Sequence, residues 1–240
     1  MITLSSFYIG QYEITQAEFQ AVMGWNPSQF AENPNRPVDT ANWFNAIEYC
    51  NRRSIQEELT PCYSYSMSGT NYGTNPDNWP WNWNNYGTYH INVSCNWSAE
   101  GYRLPTEMEW MFAAMGGNQS QGYPYSGSDS IGAVAWYFDN SDLGDGQGQR
   151  THDVGLKNPN ELGTFDMSGN VSEVCWDIYA SIYPTGDQTN PTGPTSGSWR
   201  LRRGGDWYTP ADGCCVWYRA LANANTSDGR KGFRCARNCP

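Results

Sequence analysis

Hydrophobic and polar positions alternate with two different periods along this chain. Phe7-Tyr8-Ile9-Gly10-Gln11-Tyr12-Glu13-Ile14 reads as a strand. Thr15-Gln16-Ala17-Glu18 then has the form of a capping box, and the helix it opens runs through Phe19 and Val22 to Gly24. Trp43, Ile47 and Cys50 recur at helical spacing after Asp39-Thr40, which predicts a second helix over 40–53. A second capping box, Thr106-Glu107-Met108-Glu109, follows Pro105 directly and predicts a third helix over 106–115. Between them, residues 63–97 are polar but dense in Trp and Tyr. So many large rings bury too much apolar area to be left loose, so short strands and turns are expected there. Beyond Gly117 no helical pattern is found. Short strands are expected at 133–138, 170–176, 200–204 and 232–236. Helices early and irregular strands late make the fold class α+β, and no linker divides the chain, so one domain is expected.

Composition narrows the functions. The chain has 240 residues, 24 acidic against 14 basic, for a net charge of −10. A surface so poor in Lys and Arg cannot neutralise many phosphates, which argues against nucleic-acid binding. No run of about 18 apolar residues is present, so no transmembrane segment is expected. The eight Cys form no C-x-x-C pair, which argues against a zinc ribbon. They read either as small buried hydrophobes or, for Cys235 and Cys239, as a disulfide.

Six segments carry a family resemblance. They are Phe7 to Thr15, Asn35-Arg36-Pro37-Val38, Tyr102 to Trp110, Asn160 to Glu173, Arg203-Gly204-Gly205-Asp206-Trp207 and Gly232-Phe233-Arg234. In this order they resemble the formylglycine-generating-enzyme (sulfatase-modifying factor) family across nearly the whole chain. The resemblance implies a variant C-type lectin fold with little regular secondary structure and a ligand site built from C-terminal segments. Arg103, Arg203, Arg219 and Arg234 read as planar, multi-donor ties between loops.

Family enzymes oxidise a substrate cysteine with two active thiols five residues apart, after the Gly-Gly motif. The second maps here to Cys214 or Cys215, ahead of Tyr218-Arg219. The first falls at Thr209 or Pro210, and neither is a thiol, so no copper site is expected. His90 and His152 are the only histidines and lie on separate segments, so no iron site is expected either.

The stretch 206–231 reads instead as a binding surface. Trp and Tyr supply rigid contact area, and Asn, Ser and Gly adapt their hydrogen bonds. Its frame of Arg-Gly-Gly-x-Trp, then Arg, then Gly-Phe-Arg is similar to the variable region of proteins diversified by retroelements at Asn-type codons. The expected face centres on Tyr208, Asp212, Trp217 and Tyr218, with Asp206, Thr209, Pro210, Gly213, Asn223 and Asn225 around them. Arg203, Gly204, Gly205, Arg219, Gly232, Phe233 and Arg234 should lie beneath. The resemblance further implies a monomer exported to the bacterial cell surface, with a macromolecular ligand, a protein. The alternative is an oxidase acting on a cysteine of a protein substrate. Finally, the stretch Asp166 to Glu173 is similar to the family's calcium-binding segment. It suggests a structural calcium at Gly169, Asn170, Val171 and Glu173, or else a turn pinned by Asn170 and Glu173.

Overall fold

In a computed structural model, residues 1–80, 83, 93–183 and 185–239 are described. The elements are β1 (Ile2–Thr3), β2 (Phe7–Ile9), α1 (Gln16–Met23), α2 (Trp43–Gln56), β3 (Tyr63–Met67), β4 (Thr70–Gly73), β5 (Val93–Cys95), α3 (Glu107–Ala114), α4 (Ile131–Val134), β6 (Ser172–Ile178), β7 (Gln188–Thr189), β8 (Arg200–Arg203), β9 (Ala220–Ala222), β10 (Lys231–Gly232) and β11 (Ala236–Asn238). Helix and strand each occupy 19% of the described residues. Most of the backbone is therefore loop, and its hydrogen bonds are met by other loop backbone and by side chains.

The helix starts follow their caps. Thr15 and Thr106 each accept a bond from the backbone N–H three residues on, and Glu18 and Glu109 return it. The second helix starts later than its sequence pattern predicts. The Asp39 carboxylate accepts from the N–H groups of Gln29 and Phe30 instead, and Thr40 sits at φ +62°. Asn42 becomes the cap, in a box with Asn45.

The central sheet has the order β10-β6-β8-β9. Strand β6 pairs antiparallel with β8 through Glu173↔Arg203, and β8 with β9 through Arg202↔Ala220 and Arg200↔Ala222. Two apolar clusters flank it. One gathers Phe19, Trp43, Phe44, Ile47, Tyr49, Tyr63 and Phe233, and the other Trp110, Met167, Cys175, Leu201 and Val216. The aromatic stretch after α2 is ordered where it is described. Strands β3, β4 and β5 form one sheet, and Trp79 and Trp83 pack with ring centroids 4.5 Å apart. Trp81 and residues 84–92, His90 among them, lie outside the described residues.

Three strand expectations need correction. Residues 131–134 form a helical turn rather than the start of a strand. The Asn140 side chain then accepts from Tyr137 N–H and donates to the Ala135 carbonyl, taking the place of a partner strand. The strand expected over 7–14 stops at Ile9, as β2, because the Arg234 guanidinium takes the carbonyls of Gly10 and Gln11. The predicted strand 232–236 splits into β10 and β11, and between them Phe233 and Cys235 accept single bonds from Ile14 and Gly10. All eight cysteines are free, so Cys235 and Cys239 form no disulfide. Cys235 Sγ lies 3.7 Å from Cys50 Sγ.

Buried charge organises what the strands leave over. Arg234 Nε and Nη2 donate to the two oxygens of Glu173 at 2.6 and 2.7 Å, and Nη2 also reaches the Phe165 carbonyl. Arg103 grips Glu109 with two bonds of 2.7 Å, and Arg219 grips Glu107 at 2.5 and 2.7 Å. Asp177 has no such partner among the described residues. It accepts from Glu107 N–H at 2.9 Å, and burial pushes its carboxyl up to about 7.

A carboxyl raised in the folded state favours folding most below its unfolded pKa, near 3.8, and loses that contribution as pH rises through about 7. His152, lowered chiefly by burial, works in the opposite sense over part of this window, so a difference measurement isolates Asp177. Asp177→Asn keeps an acceptor for Glu107 and removes the charge. Relative to the unsubstituted protein it should gain on the order of 2 kcal/mol between pH 5 and pH 8. Urea unfolding at the two pH values checks this, and a gap that does not change with pH contradicts it.

Candidate functional site

The segment 203–219 leaves β8, turns back on itself and returns into β9. Two glycines make the turn. Gly204 and Gly205 adopt φ +92° and +71°, and a Cβ on Gly205 would stand 2.6 Å from Cys214 Sγ and 2.8 Å from the Gly213 carbonyl. Arg203, fully buried, holds the returning limb. Its Nη2 donates to the Val216 carbonyl at 3.0 Å and its Nη1 to that of Tyr218. Arg219 donates to the Ala180 carbonyl and stacks against Tyr183, with its guanidinium carbon 4.2 Å from the ring centre. Gly232, Phe233 and Arg234 are buried as well.

On this frame stand the exposed side chains. Tyr208, Trp217 and Tyr218 are 48%, 58% and 45% exposed, and Pro210 and Asp212 are exposed beside them. Thr209 is half-buried, and its carbonyl accepts from Phe138 N–H at 3.1 Å. The Phe138 ring lies 5.3 Å from that of Tyr208, edge to face, and is 41% exposed. Gly213 brings the limbs together. The space a Cβ would fill there is taken by Thr209 Cγ2, with the Tyr218 ring just beyond.

Four expected members of the face stand elsewhere. Asp206 is buried and closes the turn, its carboxylate accepting from Tyr208 N–H at 3.0 Å and its carbonyl from Thr209 N–H. Gly213 is buried, as just described. Asn223 and Asn225 are half-buried and follow the end of β9 that pairs with Arg200. Tyr218 precedes the end that pairs with Arg202, so the sheet separates the two groups. Phe138 is absent from the expected face because residues 133–138 read as a strand. The signal was there in the Gly-, Asp- and Asn-rich run that follows, which marks residue 138 as a loop edge.

The two cysteines are poorly placed for chemistry. Cys214 is fully buried, and burial pushes its thiol up to about 12. Burial first, then Asp212, raises Cys215 as well. A reactive thiol needs the opposite, a lowered pKa in a cationic setting. At position 209, one of the two where the resemblance places the first thiol, the chain presents a carbonyl 3.8 Å from Cys214 Sγ.

The expected calcium ligands do not fit the ion. Both Glu173 oxygens are held by Arg234, and Oε2 also accepts from Trp110 Nε1, so a second cation there would face a guanidinium. The Asn170 side chain accepts from His152 N–H and donates to Glu13, and the Asn170 carbonyl accepts from Trp207 N–H. Val171 N–H donates to Glu13 as well. Asn170 and Glu173 thus pin the turn with their own bonds, and Gly169 stands against the Trp136 carbonyl.

Residues 1–239 match the family model described as the sulfatase-modifying factor enzyme 1-like domain. The chain belongs to this family. The proteins it is similar to are diverse. Chaperone protein LppX of Paenibacillus barcinonensis is 40% identical, over 99% of this chain and 82% of its own length. The formylglycine-generating enzyme of Mus musculus is 26% identical, over 98% and 67%. Among solved structures, Treponema denticola variable protein 1 superposes with a TM-score of 0.86 at 35% identity, over 99% of this chain and 86% of that one. The family's fold, mixed α and β with short elements, is the fold described above. No helix among the described residues is long and apolar enough to cross a membrane.

The burial pattern orders the thiols by accessibility. Cys239 is exposed, Cys95 is half-buried and the other six are buried. A thiol-reactive dye added to the native protein should label Cys239 fast and Cys214 and Cys215 only on unfolding. Peptide mapping of the early adduct checks this. Fast modification of Cys214 or Cys215 would return the oxidase reading to contention.

Proposed function

We propose that this protein is a non-catalytic binder on the scaffold of its family, and that the exposed aromatic face around Tyr208 engages another protein. The observation that carries this reading is the sorting of one short segment into two populations. Arg203, Gly204, Gly205, Asp206 and Gly213 are buried and fix the loop, while Tyr208, Asp212, Trp217 and Tyr218 project from it. Buried aromatic anchors dominate protein interfaces once a partner covers them, and exposed clusters of this kind are costly to maintain without one. The similarity to a variable protein and to a chaperone protein supports the same reading.

The finer parts of the proposal follow from the resemblance. The coding segment for the face is diversified by a retroelement, the protein acts outside the cell at its surface, and it works as a monomer. A near-identical second copy of the 203–234 coding segment beside a reverse transcriptase gene is the genomic counterpart of this reading.

Two measurements test it. With a cysteine-containing sulfatase peptide, copper and oxygen, the protein should form no aldehyde. A photo-cross-linker placed at Trp217 should capture a protein partner, whose affinity is then measured by calorimetry. Tyr208→Ala should weaken that affinity by about 2 kcal/mol or more, while Tyr8→Ala, remote on β2, changes it by less than about 0.5 kcal/mol. Aldehyde formation dependent on Cys214, or equal effects of the two substitutions, overturns the proposal.

A further inference from the structure

Charge around the aromatic face is one-sided. From Gly205 to Tyr218 the chain has two acids and no Lys or Arg, and from Tyr137 to Gln149 three acids and no Lys or Arg. The second stretch borders the first directly. Phe138 packs on Tyr208, and the Ser141 hydroxyl donates to the Trp207 carbonyl at 2.7 Å. Two of the five acids are accounted for inside the fold. Asp206 is buried in its turn, and Asp145 is paired with Arg150. Asp139, Asp142 and Asp212 are exposed, and none of them forms an ion pair among the described residues.

The cations that could neutralise them are committed elsewhere. Arg203 and Arg219 hold carbonyls and Glu107, Arg202 donates to the Ser172 hydroxyl and lies 3.9 Å from the buried Asp206, Arg230 lies 3.9 Å from Asp228, Arg150 holds Asp145, and Lys157 lies over the Trp136 ring with its ammonium 3.9 Å from the centre. The face therefore combines open aromatic rings with carboxylates that form no ion pair among the described residues, Asp142 feeling Arg150 only from a distance, on a molecule of net charge −10. Ring faces attract cations, and carboxylates at an interface rim attract them from further away. An acidic partner would meet repulsion on approach.

We propose that the partner surface taken by this face presents lysine or arginine side chains, which stack on Tyr208, Trp217 and Phe138 and pair with Asp139, Asp142 and Asp212. This rests on the reading of the face as a protein-binding surface. The alkyl stem of a Lys or Arg covers a ring while its charged head reaches a rim carboxylate, so one residue type satisfies both features.

The experiment uses a displayed library of random peptides of about 12 residues, a length sufficient to carry a few anchor residues. Peptides are selected on the intact protein and scored on the Tyr208→Ala/Trp217→Ala variant. Recovered peptides should be rich in Lys and Arg and should lose the variant. Their affinity should fall about tenfold between low salt and ~0.3 M salt, where the screening length is short. Asp139→Asn/Asp212→Asn should weaken them about tenfold with an unchanged melting temperature. Peptides that need Tyr208 and Trp217 but show no basic excess and no salt dependence overturn the charge proposal and leave the face standing. Peptides that bind the variant as well as the parent, or a library that yields none, overturn both.

Discussion

The pairing of Glu173 with Arg234 is the interaction on which the rest of this structure depends. Neither residue touches solvent to any extent, and the guanidinium uses its fork on five acceptors drawn from β6, from the turn after β2 and from Phe165. A buried ion pair of this kind is not stabilising in itself, since desolvation offsets much of the attraction. Its contribution here is positional. Loops without strand partners need donors aimed at their carbonyls, and a planar guanidinium supplies several at fixed angles. Arg103, Arg203 and Arg219 repeat the device at other corners of the molecule.

This economy of regular structure explains how one segment can hold a precise shape and still leave Tyr208, Asp212, Trp217 and Tyr218 exposed. The course of residues 203–219 is set from below, by the two positive-φ glycines, by the buried Asp206 and by Arg203 on the carbonyls of Val216 and Tyr218. Those contacts are to backbone, and they are indifferent to which side chains point outward. The exposed rings take no part in these bonds, which on the proposed reading leaves them to recognition.

Much of this was legible in the sequence. Capping boxes at Thr15 and Thr106 placed two helices, because a cap is a local event read from four residues. The frame of the face was legible for the same reason, since paired glycines and isolated arginines admit few uses. What was not legible depends on distant partners. Asp206 looked like a surface acid, and only the tertiary turn shows it buried under Tyr208 and Thr209. Asn223 and Asn225 are near Tyr218 in sequence, yet strand β9 carries them to the other end of the sheet. Phe138 joins the face through a contact across 70 residues that no local pattern encodes. The acidic turn at Glu173 resembled a metal site, because the carboxylate's partner, Arg234, lies 61 residues away.

The central claim is that folding rests on the buried charge frame and not on the exposed face. Urea unfolding of two variants tests it most directly. In one, Phe138, Tyr208, Trp217 and Tyr218 are all replaced by Ala, and in the other Glu173→Gln breaks the ion pair. The account predicts that the four-alanine variant stays within about 1–2 kcal/mol of the parent, as four surface substitutions allow, while Glu173→Gln loses about 3–5 kcal/mol. A four-alanine variant as unstable as Glu173→Gln would show that the rings are structural, and would contradict the account.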